Sequence, residues 1–265
     1  MKMGITFRKK QKTMAATKST LLVVANILAF AGVLLVNYLA NALPIAGRTP
    51  GGVSDMFPTL FTPAGFTFSI WGVIYLLVLG FVGYTARFIN KSAPAFLHHI
   101  GWLFVGSCLA NIAWIFAFHN LQIGLSMLVM LLLLGSLLGI YLRVADSAGM
   151  ERWFVRLPFS VYLGWVSVAT IANASILLTH WGWDGSPGGP QFWTVVVIAA
   201  AVGLGVWALW SRRDFAYALV IAWALYGIFS KRIADLGTAD GMVETASLAG
   251  IAILSLGIAY RLIKR

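Results

Sequence analysis

The chain has 265 residues, of which 60% are hydrophobic and only 10% charged, with a mean hydropathy of +0.87; soluble domains carry roughly 25% charged residues, so a soluble protein is excluded and a multi-pass membrane protein implied. The formal net charge of +11 would suggest nucleic acid in a soluble protein, but in a membrane chain the placement of charge sets topology, and no nucleic-acid partner is expected. The single cysteine, Cys108, excludes an intramolecular disulfide and a cysteine-cluster metal site.

The charged residues divide the chain into apolar stretches. A bilayer core of about 30 Å takes roughly 20 helical residues, which predicts eight transmembrane helices near 20–41, 66–87, 97–118, 122–142, 157–179, 192–211, 214–231 and 244–261. Residues 1–19 form a basic cytoplasmic segment, expected to hold the first helix end against anionic lipid. Its head, apolar stretch and Ala40-Asn41-Ala42 imitate a signal peptide, but about 20 apolar residues exceed the usual 7–15, so the helix is expected to be retained. The seventh and eighth stretches have only 16 uncharged residues each, and Lys231, Arg232 and Arg261 are expected to snorkel from their ends.

With a cytoplasmic N-terminus, Lys2, Arg8, Lys9, Lys10, Lys12, Lys18, Arg87, Lys91, Arg143, Arg152, Arg156, Arg212, Arg213, Arg261, Lys264 and Arg265 fall inside, leaving Arg48, Lys231 and Arg232 outside. That bias predicts both termini in the cytoplasm.

No Asp, Glu, Lys or Arg lies between the end residues of a predicted span, which disfavours a proton-coupled pump. His98, His99, His119 and His180 fall at helix ends and read as interfacial, without the i, i+4 spacing of a metal face. No metal, cofactor or catalytic residue is expected. Asn26, Asn37, Thr67, Ser69, Tyr75, Asn111, Thr170, Asn173 and Ser175 are isolated polar residues within spans, read first as links between helices. The pairs Gly135/Gly139, Ala199/Gly203 and Ala246/Gly250 read as close-packing faces. Trp153, Trp181, Trp183, Trp193 and Trp210 stand at span ends, as an interfacial belt requires.

Trp71, Trp114 and Trp165 instead lie inside their spans near the polar residues. In LFTPAGFTFSIWGVIYLL, Leu60 to Leu77, Pro63 suits a helix start and Gly65 permits close approach. Phe61, Phe66 and Phe68 are placed at the outer interface. Trp71 and Tyr75 then share one helix face at i, i+4, with Trp71 about 9 Å along from Gly65.

This stretch resembles the second-helix pattern W-x-P-P-G-W-x-F-x-x-x-W-x-x-L/I-Y of the tryptophan-rich sensory protein family, also called TspO/MBR or translocator protein. It keeps Pro63, Gly65, Phe68, Trp71 and Tyr75, while Phe61 and Phe66 replace two tryptophans and Ala64 a proline. ANIAWIFAF resembles the third-helix L-N-W-A-W segment through Asn111 and Trp114. LPFSVYLGWVSVATIANASI resembles the fifth-helix P-Y-x-x-W-x-x-F-A-x-x-L-N pattern through Tyr162, Trp165, Ala169 and Asn173. Ile115 and Phe116 stand where the family has a proline, Ala174 replaces an often aromatic residue, and the sterol-linked L/V-x-Y-x-K/R pattern is missing after the fifth helix, so steroid binding is not supported.

The resemblance covers residues 20–180 and implies an all-α membrane fold: a five-helix TspO-like bundle, with three additional helices over 181–265. Only a faint echo of the fifth helix is seen in WALYGIF at Trp223. The resemblance implies a receptor or sensor that binds porphyrin-like or other flat, lipid-like amphipathic molecules, with membrane lipids and a second copy of the chain as further partners. The expected ligand-binding residues are Arg48, Phe61, Pro63, Phe66, Trp71, Tyr75, Asn111, Trp114, Tyr162, Trp165, Ala169 and Asn173, between the first, second, third and fifth helices. Arg48 is the candidate to meet a ligand carboxylate, and residues 185–265 are expected to be dispensable for binding. A transporter of small amphipathic solutes is the rival reading, and a tetrapyrrole-oxidising enzyme the last.

Overall fold

Backbone polar groups in hydrocarbon must be paired within the chain, and a helix pairs them within one segment. The computed structural model describes residues 2–43, 45–234 and 241–264, with side chains from residue 16 onward, and its described elements are all helical. Ten α-helices follow in order: α1 (Lys2–Ala42), α2 (Pro50–Asp55), α3 (Ile70–Ala86), α4 (Ala95–Ile100), α5 (Leu103–His119), α6 (Ile123–Arg143), α7 (Leu157–His180), α8 (Gly189–Arg212), α9 (Phe215–Ala234) and α10 (Met242–Ile263). Seven are long and apolar enough to cross a membrane. The eighth, α5, has 17 residues, about 26 Å at 1.5 Å per residue. The predicted third span is thus shorter than expected, because Gly101 at φ 53° separates α4 from α5, a conformation glycine adopts without steric cost.

The basic side chains at positions 2 to 12 lie outside the described side chains, as do Pro44, residues 235–240 and Arg265. In α1 the apolar part is Ala16–Ala42. Before α3 the chain makes a 3-10 turn, Gly65–Ser69, and α2 is a short outer helix whose Thr49 hydroxyl accepts from the Gly52 N–H at 3.1 Å, with Pro50 in its first turn.

α7 is the central helix. It packs against α3 and α6 on one side and α9 on the other, while α1 and α5 pack together and α8, α9 and α10 form a trio. Phe81, Phe104 and Phe159, all fully buried, meet with ring centroids 4.9–5.9 Å apart and join α3, α5 and α7. At the α7–α9 seam a Cβ on Gly164 would sit 3.2 Å from Val220 Cβ. Tyr217 donates to Ser167 Oγ at 2.8 Å, and Ser160 donates to the buried Asp214 Oδ1 at 2.6 Å. That carboxylate oxygen also accepts the Tyr217 N–H, capping α9.

The close approaches differ from those read from small-residue spacing. Gly250 meets Leu225 and Val202 side chains, and Gly139 meets Leu103, but nothing lies within 4 Å of a Cβ built on Gly135 or Gly203. The i, i+4 spacing marks a flat helix face without saying whether a helix or lipid covers it. The tightest approach is at Gly227, where a Cβ would lie 2.0 Å from Thr67 Oγ1. Here α9 meets the turn before α3: Ala64 N–H donates to Gly227 O at 3.0 Å, and Trp223 Nε1 donates to Thr67 O at 3.0 Å.

We expect Gly227→Ala to destabilise the protein by about 1–3 kcal/mol through overpacking against Thr67, read as a lower Tm in detergent. Gly203→Ala, which adds a methyl into open space and a better helix former, should leave Tm unchanged or raise it. Equal effects of the two would dismiss the close approach as a stability determinant.

Candidate functional site

The interior tryptophans converge. Trp71 stacks on Tyr75, with centroids 5.5 Å apart and planes at 23°, as their shared face predicts. It meets Tyr162 and Trp165 of α7 edge-on at 5.8 and 6.3 Å. Phe68 from the 3-10 turn meets Trp165 edge-on at 5.9 Å. Trp114 of α5 stacks on Phe118 at 4.9 Å and donates its Nε1–H to Asn173 Oδ1 at 2.9 Å. Asn173 in turn donates to Ser126 Oγ of α6 at 3.1 Å, and Ser126 donates to Ile123 O at 2.8 Å. A second amide chain lies beside the first: Asn37 of α1 donates to Asn111 Oδ1 at 2.8 Å, and Asn111 donates to the Tyr162 hydroxyl at 3.1 Å.

Two cavities border Trp71. One, about 40 Å³, is lined by Pro63, Phe68, Trp71, Trp114, Trp165, Ala169 and Asn173. That is room for a water molecule, not for a flat ring. The other is a cleft of about 370 Å³ lying between α1, α2, α3 and α5, lined by Asn37, Asn41, Thr49, Asp55, Phe68, Trp71, Tyr75 and Ile115. Its size falls within the 300–1,000 Å³ of small-molecule sites. The Tyr75 hydroxyl is buried and has no hydrogen-bond partner among the described residues, nor does Trp165 Nε1. Buried polar groups are nearly always paired, so each is a donor available to a bound molecule or water.

Of the residues expected at the site, Pro63, Trp71, Trp114, Trp165, Ala169 and Asn173 share the small cavity, and Tyr75 faces the cleft with Trp71. Asn111 and Tyr162 stand behind Trp71 and line neither space. Three are placed elsewhere. Arg48 donates from Nη1 to the His119 carbonyl at 3.1 Å, answering the negative end of the α5 dipole. Phe61 is fully buried and faces a separate space of about 200 Å³ between α7 and α8. Phe66 is half-exposed, edge-on to Trp223 and Tyr226 of α9 at 5.6 and 5.8 Å. The cleft therefore differs from the expected one: α2 forms its fourth wall, and α7 contributes only to the small cavity. His119 ends α5, as its place at a span end predicts, and is buried there, its Nδ1 2.7 Å from Ile115 O.

The residues missed are Asn37, Asn41, Thr49 and Asp55. Asn37 was visible as an intramembrane amide and Asn41 stands one turn on along the same face of α1; Thr49 and Asp55 sit at the ends of the short α2, where no periodicity points. Asp55 is paired with Lys231 of α9, so the outer loop is tied to the far side of the bundle. Among the described residues no cluster of His, Cys, Asp or Glu could hold a metal.

A multi-span helical bundle with an aromatic cleft under the loop that carries α2 defines an integral membrane protein built around a pocket between its helices. The chain belongs to the family described as TSPO-like protein, whose family model matches residues 23–260. The match runs beyond residue 180 and takes in α8, α9 and nearly all of α10. No curated protein and no solved structure matches the chain.

Removing Asn173 strands the Trp114 N–H in a buried place, a loss of about 1–3 kcal/mol. We expect Asn173→Leu to lower Tm accordingly. The double variant Trp114→Phe/Asn173→Leu should lose less than the sum of the single losses, because the stranded donor is gone. Strict additivity would show that the bond carries no coupling.

Proposed function

We propose that this protein is a membrane receptor or sensor for a flat amphipathic molecule, porphyrin-like in shape, seated in the cleft against Trp71 and Tyr75. The observation that carries the reading is the unpaired Tyr75 hydroxyl beside an aromatic wall in a cleft of about 370 Å³. Aromatic surface with a few convergent polar groups suits such a ligand. The lining offers amides, hydroxyls and the Asp55 carboxylate but no cation, and Arg48 is turned to the end of α5. A ligand with an uncharged polar edge therefore fits better than a carboxylate held by Arg48. The small cavity on the other side of Trp71 would join the cleft if that ring swung aside.

Ring stacking contributes about 0.5–1.5 kcal/mol beyond area burial, so Trp71→Leu should weaken a porphyrin about tenfold at 1.4 kcal/mol per decade. Tyr75→Phe should weaken it about fivefold through loss of one hydrogen bond, and Trp153→Leu, an exposed residue in the turn before α7, should leave affinity unchanged. Fluorescence quenching on folded, detergent-purified variants measures all three, and a porphyrin dimethyl ester should bind at least as tightly as the free diacid. Equal losses at Trp71 and Trp153 would move the site away from the cleft.

We also propose a cytoplasmic-membrane location with both termini in the cytoplasm. The basic residues at the ends of α3, α6, α8 and α10 and at the start of α7 share one end of the bundle: Arg143 donates to His99 O, and Arg156 to Arg212 O. Reporter fusions after Gly52 and Gly185 should read outside, and one after Ala148 inside. A cytoplasmic signal at Gly185 would overturn this topology.

A further inference from the structure

At the end of the bundle opposite the cleft, the loop before α7, the α8–α9 turn and the end of α10 enclose a concave space of about 480 Å³. Arg152, Arg156, Arg213, Arg261 and Lys264 line it, with Phe215 as its large apolar side chain and no carboxylate. None of the five cations has a carboxylate partner among the described residues. Asp214, the acid nearest in sequence to Arg213, is buried and spends its Oδ1 on Ser160 and the start of α9.

The backbone is bent to make this grouping. Arg152–Arg156 is a π-helical turn, a rare form that re-aims side chains and recurs at functional sites. Arg213 ends α8 at φ 50°, ψ 41°, a left-handed position where glycine is the usual residue. Arg261 stands in the last turn of α10 and Lys264 is its C-cap. A bias of positive loops needs only cations somewhere on this side. It does not need five of them to repel one another in one concavity, three of them on irregular backbone.

We propose that this pocket is a site for the phosphate groups of an anionic ligand, seated at the membrane surface. Guanidinium groups bind phosphate oxygens in pairs, and basic pockets between transmembrane helices suit lipid head groups. Its surroundings fit a lipid: Trp153, Leu262 and Ile263, beside the lining residues in sequence, are exposed apolar side chains. The ligand replaces the missing carboxylates as the neutralising charge, and Phe215 meets its apolar part.

The test uses the full chain in neutral detergent, titrated with phosphatidylglycerol or with inorganic pyrophosphate, and follows Tm, which rises with any ligand that binds the folded state. The variant is Arg152→Gln/Arg213→Gly/Lys264→Gln; glycine relieves the left-handed position, so the variant should be as stable as the parent without ligand. At about fivefold per cation near a membrane surface, it should bind about 100-fold more weakly. Arg87→Gln, which removes a cation that lies over Tyr84 at the end of α3, should change binding less than twofold. Saturable stabilisation by the lipid, lost in the triple variant, supports a head-group site. The same result with pyrophosphate supports the same pocket with a soluble ligand. Stabilisation by neither, or equal weakening by Arg87→Gln, would overturn the proposal. None of these readings depends on the cleft at the other end, so failure here leaves the porphyrin-like ligand untouched.

Discussion

The meeting of α9 with the turn before α3 governs how this molecule is put together. A backbone N–H at Ala64 reaches a helix carbonyl at Gly227, and that approach is open only because residue 227 has no side chain. A carbonyl that already serves its own helix thereby accepts a second bond. In hydrocarbon an unpaired Ala64 N–H would cost several kcal/mol. From that contact follow the Trp223 bond to Thr67, the packing of Phe66 on Trp223 and Tyr226, and the position of Phe68 against Trp165. The aromatic mouth is thus shaped from outside by a helix that contributes nothing to its lining.

The two amide chains do complementary work inside. Asn37–Asn111–Tyr162 links α1, α5 and α7, while Trp114–Asn173–Ser126 links α5, α7 and α6. Each of these bonds matches a polar group on a neighbouring helix, worth about 0.6–2 kcal/mol per bond. Trp71 stands between these chains and the cleft, held by edge contacts rather than by a hydrogen bond among the described residues. It is a wall fixed by packing alone.

Charge spacing and hydropathy made the eight spans legible, because both follow directly from bilayer thickness and desolvation. The aromatic face of α3 was legible too, since i and i+4 on a helix must align, and Trp71 and Tyr75 do. Rotation of one helix against another was not. Phe61 and Phe66 lie in the same short segment as Pro63, yet they face α8 and α9, because an irregular turn obeys no fixed period. Arg48 read as a candidate for a ligand carboxylate; the carbonyl at the end of α5 that it meets is invisible to residue spacing. The WALYGIF run carried only a faint echo of the fifth helix, and the docking role of its Trp223 and Gly227 had no signal in the sequence.

The Trp223–Thr67 bond joins residues 156 positions apart along the chain, and this has a consequence for biosynthesis. α3 leaves the ribosome and enters the membrane long before α9 exists, so the turn ahead of α3 waits with Thr67 O and the Ala64 N–H unmatched. Contacts so distant in sequence form late. The nascent bundle therefore passes through a stage in which its aromatic mouth is assembled but unlatched, and α9, made long afterwards, is the helix that closes it.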